Sequence, residues 1–78
     1  MESPPLIDRV LDLLELLAGH PVGMSLTEIC AKQSIPKAAA YRALSALVRN
    51  GFVEQDEASE WYRLTLKTTT IGLRYLAE

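Results

Sequence analysis

Seventy-eight residues make one small domain or part of a longer chain, and a chain of this size buries only about 60% of its unfolded surface, so its core is small. Hydrophobic residues at 49% and charged residues at 23% are ordinary soluble globular usage and exclude disorder as the main state. The formal net charge is −2, and a single cysteine and a single histidine exclude an internal disulfide and a multi-cysteine zinc site and leave little for acid–base chemistry.

The chain starts Met1-Glu2-Ser3-Pro4-Pro5, without the basic start and apolar stretch of a signal peptide. No uncharged apolar run approaches the ~20 residues of a membrane span. A cytoplasmic protein with no membrane contact is expected.

Leu6 to Ala18 is apolar at helical spacing. Leu6, Val10, Leu13, Leu14 and Leu17 fall in one stripe, Asp8, Asp12 and Glu15 lie opposite, and Leu11 and Leu16 widen the stripe at its edges. The apolar arc covers about 220°, wider than the ~100° that one core contact demands. Either the helix is deeply buried or one edge meets another chain. Gly19-His20-Pro21 stops it.

Ser25-Leu26-Thr27-Glu28 has the form of a capping box and opens a second helix. Leu26, Ile29 and Cys30 are its inward residues, and it ends near Gln33-Ser34. Pro36 suits the first position of a third helix, because its missing donor would be unpaired there. In that helix, residues 36–50, Ala40, Leu44, Leu47 and Val48 form the inward stripe. Ala38, Arg42, Ser45 and Arg49 fall about 140–200° around from Ala40, with Tyr41 at their flank. Asn50-Gly51 ends it, with Gly51 able to take positive φ.

Two strands follow, Phe52 to Gln55 and Trp61 to Leu66, around the polar link Asp56 to Glu60. In the second, Tyr62, Leu64 and Leu66 alternate with Trp61, Arg63 and Thr65, the pattern of an antiparallel hairpin. Thr68 to Ala77 reads as the start of another helix, with Ile71, Tyr75 and Leu76 on one face. The expected fold is mainly α with a small antiparallel β-hairpin, a winged helix-turn-helix.

The small net charge hides a pattern. Residues 1–31 carry −4, residues 32–50 carry +4 with no acid, and residues 51–60 carry −4. A polyanion senses that distribution at short range more than the total. The third helix has a width that fits the DNA major groove. Arg42 and Arg49 supply forks for phosphate or guanine edges. Lys37 adds charge at a helix N-terminus. Ser45 is a donor to phosphate or a base edge, and Ala38 and Ala39 can meet a thymine methyl. Arg63 on the hairpin either contacts the backbone or pairs with Glu54, while Asp56, Glu57 and Glu60 repel phosphate from the hairpin tip. No nucleophile–base pair, metal-ligand cluster or glycine-rich phosphate loop marks an enzyme, and nothing calls for a cofactor or metal. The rival reading is a winged helix used for protein contact or RNA.

Ser25-Leu26-Thr27-Glu28-Ile29, Ile35-Pro36-Lys37, Tyr41-Arg42, Leu44, Leu47, then Gly51 to Asp56 and Tyr62-Arg63-Leu64 together resemble the N-terminal DNA-binding domain of IclR-type bacterial transcription regulators. The resemblance runs from about Leu6 to Leu76. It implies sequence-specific binding of double-stranded operator DNA by homodimers or tetramers. It also implies a C-terminal domain, beyond this sequence, that binds a small-molecule effector. On that reading residues 1–67 are the DNA-binding domain and residues 68–78 the start of a linker helix, in a cytoplasmic, nucleoid-associated bacterial protein. The positions matching Lys37, Ala38, Ala39, Tyr41 and Arg42 lie at the family's DNA face. Three residues depart from the pattern. Ala38-Ala39 stands for a hydroxyl pair, Ser34 for a turn glycine, and Cys30 for a small alanine. A left-handed Ser34 would cost roughly 1 kcal/mol.

Overall fold

A computed structural model describes residues 6–68, 70 and 71. Its order is α1 (Leu6–Ala18), α2 (Leu26–Gln33), α3 (Lys37–Arg49), β1 (Val53–Gln55) and β2 (Tyr62–Leu64). The three helices and the hairpin occur as the sequence predicts. Among the described residues no helix is long and apolar enough to cross a membrane.

The core forms where the helical stripes and one face of the hairpin converge. Leu13 and Leu17 of α1, Ile29 of α2, and Ala43, Leu44 and Leu47 of α3 pack with Met24, Val53 and Tyr62. Val10, Leu14, Leu16, Leu26, Phe52 and Leu64 pack against them, partly buried. The expected stripe of α1 is therefore displaced: Leu16 joins the core and Leu6 is 55% exposed. Ile7 and Leu11 are also exposed. On α3, Val48 is exposed and Ala43 is buried in its place. The close-packed crossing of α3 takes the small residue. Cys30 is half-buried.

Local chemistry fixes the helix ends. At the end of α1 the Gly19 and His20 amides donate to the Leu16 and Leu17 carbonyls, and the His20 ring Nδ1 donates to Leu16 at 2.9 Å. At α2 the Glu28 amide donates to Ser25 Oγ while the Ser25 amide donates to the Glu28 carboxylate, each at 3.1 Å. These satisfy two donors that a helix start leaves unpaired. The helix closes on Ser34 at φ 54°, ψ 45°, the left-handed conformation that its departure from glycine makes costly. Pro36 stands one place before α3, as its N-cap, with no side-chain acceptor for the first amides. Gly51 takes φ 81°.

In the hairpin, Val53 pairs with Leu64, Glu54 with Arg63 and Gln55 with Tyr62. Alternation turns Val53 and Tyr62 to the core and Glu54 and Arg63 outward. The strands are shorter than the sequence suggests, because Leu66 already starts a helical turn and is 80% exposed. Helical residues continue at 67, 68, 70 and 71. Most of the expected helix from Thr68 to Ala77 lies outside the described residues. Two ties anchor the hairpin. Met24 pairs with Tyr62 through Met24 N–H to Tyr62 O (2.9 Å) and Tyr62 N–H to Met24 O (2.8 Å). At the other end Lys67 Nζ donates to the Asn50 carbonyl at 2.8 Å and lies 4.6 Å from the centre of the Phe52 ring.

Candidate nucleic-acid interface

The outer face of α3 exists because its inner face is consumed by the core. Ala40, Ala43, Leu44 and Leu47 are buried, which turns Lys37, Ala38, Tyr41, Arg42 and Arg49 to solvent. Ser45 is half-buried at the edge of that surface. Ala39 is not part of it. It is only 4% exposed, because it packs on the side of α3 next to the core stripe, and its methyl is not available to a thymine methyl. One of the two alanines in place of the family's hydroxyl pair is thus a packing residue and the other a surface residue.

Among the described residues, Lys37, Arg42 and Arg49 make no salt bridge; the ion pairs found belong to Arg63. Arg63 Nε donates to Glu54 Oε1 at 2.9 Å, and its Nη1 lies 3.6 Å from Asp56 Oδ1. Of the two alternatives for Arg63, the structure shows the pairing with Glu54. The Asp56 carboxyl is held below the ordinary aspartate value. Hydrogen bonds from the Ser59 amide and hydroxyl dominate, with the Ala58 amide and the Arg63 charge adding to them.

Tyr41 is 58% exposed and lines three neighbouring depressions. The largest is an open cleft of about 550 Å³ between the first turn of α2, α3 and the hairpin, bordered by Thr27, Lys37, Tyr41, Gln55 and Glu60. Burial, with the nearby Tyr41 and Glu60, pushes the Tyr62 phenol at its floor upward, so it stays a neutral hydroxyl at physiological pH. A second depression places Leu6 beside Arg42, Ser45 and Arg49. Thr27, Gln55, Glu60 and Leu6 border the α3 surface through the fold alone. Periodicity within single segments carries no signal for them.

Three helices with the third presenting exposed cations, and a hairpin beside it, define a winged helix-turn-helix module of the DNA-binding kind. Residues 6–57 match the IclR helix-turn-helix domain, and the chain belongs to that family of DNA-binding transcription regulators. It is 36% identical over 70 residues to the glycerol operon regulatory protein of Streptomyces coelicolor, covering 90% of this chain and 28% of that protein. It is 35% identical over 69 residues to an HTH-type transcriptional regulator of Haemophilus influenzae, covering 88% of this chain and 26% of that one. Among solved structures, the IclR-type regulator of Alicyclobacillus acidocaldarius superposes with a TM-score of 0.85 at 29% identity, over 95% of this chain and 30% of that chain. HmgR of Pseudomonas aeruginosa gives 0.81 at 28% identity, over 91% and 30%. The chain thus spans less than a third of the length of these relatives.

Proposed function

We propose that residues 36–50 enter the major groove of double-stranded operator DNA and read it in a sequence-specific way. The observation that carries this reading is the set Lys37, Arg42 and Arg49, exposed on one helix with no ionic partner among the described residues. Arg42, at the centre of the exposed face, is the base-reading residue, through a bidentate contact to guanine. Arg49 and Lys37 neutralise phosphate, and Ser45 and the Tyr41 hydroxyl donate to phosphate or a base edge. Ala38 offers a methyl to thymine.

Two copies act together in this reading, as a homodimer or tetramer, with half-sites about one helical turn or a multiple apart. Exposed Leu6, Ile7 and Leu11 on α1, with Ile71, are apolar surface available for pairing. Residues 1–67 form the DNA-binding unit and residues 68–78 begin a linker. The further length of the relatives leaves room for a domain that binds a small-molecule effector. A cytoplasmic site of action next to the nucleoid follows from the DNA target.

The test is selection from a pool of random duplexes with two tethered copies of the chain, run beside the same protein carrying Arg42→Ala. An enriched half-site that vanishes in the variant establishes base reading by α3. No enrichment and no salt-sensitive binding would move the fold to protein contact.

A further inference from the structure

The hairpin holds one cation among four acids. Between Asn50 and Leu66 the sequence has Arg63 against Glu54, Asp56, Glu57 and Glu60. A phosphate-gripping wing needs its cation free. Here the register sets Glu54 directly across from Arg63 on the outward face, and the guanidinium meets it at 2.9 Å. Asp56 divides its two oxygens. Oδ2 accepts from the Ala58 amide (3.0 Å), the Ser59 amide (2.8 Å) and the Ser59 hydroxyl (3.1 Å), which fixes the carboxylate in the turn. Oδ1 is left facing the Arg63 Nη1 at 3.6 Å. A phosphate approaching Arg63 meets two carboxylates already on its fork, one of them held in place by three donors, with Glu57 and Glu60 exposed nearby.

We propose that Glu54 and Asp56 set the affinity of this domain for DNA by keeping Arg63 as an internal counterion, so that the hairpin supplies no phosphate contact. The proposal rests on the DNA-binding reading above. It leaves phosphate neutralisation to cations outside the hairpin strands, chiefly those of α3. A single copy is thereby held to weak binding, and occupancy of DNA depends on pairing of copies.

The salt dependence of binding tests this, because each phosphate contact adds about 0.9 to the slope of log affinity against log salt on B-DNA. The slope is measured by fluorescence anisotropy on a labelled duplex of arbitrary sequence. Four proteins are compared: the unaltered chain, Arg63→Gln, the pair Glu54→Gln with Asp56→Asn, and that pair with Arg63→Gln added. Thermal melting by circular dichroism confirms that each is folded. The acid-neutralised pair is expected to steepen the slope by about 0.9 per chain, and to bind on the order of tenfold tighter near 0.1 M salt. Adding Arg63→Gln should return the slope to that of the unaltered chain. Glu54→Gln alone leaves the Asp56 turn intact and serves if the pair does not fold; it should carry the larger part of the change. Equal slopes with and without Arg63 in the neutralised background would make the gain a matter of bulk charge and overturn the proposal. So would a shallower slope for Arg63→Gln alone, which would show Arg63 already on phosphate. Absence of salt-dependent binding by the unaltered chain would remove the DNA reading itself.

Discussion

Arg42 on α3 and Arg63 on the hairpin bear the same guanidinium in opposite circumstances. Arg42 stands on a helix whose neighbours from residue 32 to 50 include no acid, and it makes no ion pair among the described residues. Arg63 lies directly across the strand pair from Glu54 and within reach of Asp56. A cation's sequence context thus decides its availability more than its exposure does. Acid-free stretches leave charge to spend on a polyanion, whereas cross-strand acids consume it locally.

The contrast can be broken first at its two arginines. Arg42→Ala is expected to weaken binding to a selected duplex by ~1–3 kcal/mol and to relax preference at one base position. Arg63→Ala should change the same affinity by less than about 0.5 kcal/mol, in line with ordinary surface substitutions. Titrations of both variants on the selected and a scrambled duplex measure this, and equal losses for the two arginines would erase the distinction.

A comparable effect on stability is expected where the hairpin is tied to the core. Gly23 has φ +112°, and a Cβ there would stand 3.0 Å from the Tyr62 carbonyl that Met24 uses. Gly23→Ala should cost ~1–3 kcal/mol in chemical denaturation. Ala38→Ser, on the open face of α3, should leave stability within about 0.5 kcal/mol. Next comes Ser34. Replacing it with glycine removes the left-handed strain at φ 54° at the cost of a floppier unfolded chain, for a net gain of at most about 0.5 kcal/mol in the same assay.

The smallest effect is a pH dependence of the hairpin turn. Asp56 has its carboxyl lowered in the folded state. Its contribution is therefore complete above the ordinary aspartate range, near pH 4. It fades as pH falls through the lower folded value. Melting curves from about pH 5 to about pH 2 should show a drop in stability that is reduced in Asp56→Asn. An equal drop in both proteins would place the acid sensitivity elsewhere.

Much of this was legible in the sequence because the signals were local. Ser25 and Glu28 announced the start of α2, the Leu6–Ala18 periodicity matched α1, and Gly51 marked the end of α3. The outward set Lys37, Arg42 and Arg49 followed from helical geometry. Ala39 is not legible in this way, because an alanine at the boundary between faces carries no preference and only its packing against neighbouring elements decides its burial. Val48 and Leu66 escape the sequence pattern for a related reason. Apolar character predicts a buried side, but helix crossing and an early strand end left both exposed. The Met24–Tyr62 pairing and the position of Leu6 beside Arg42 join segments far apart in the chain, and no periodicity within one segment encodes them.

Lys67 has a mechanical consequence. Its ammonium clasps the last carbonyl beyond α3 and covers Phe52 at the root of the hairpin, while its own backbone belongs to the helical turn that begins at Leu66. With the Thr65 hydroxyl, which donates to the Gly51 carbonyl at 2.6 Å, that side chain ties the segment after the hairpin to the end of α3, like a pin through a hinge. Unpinning it costs a hydrogen bond and a cation–π contact together.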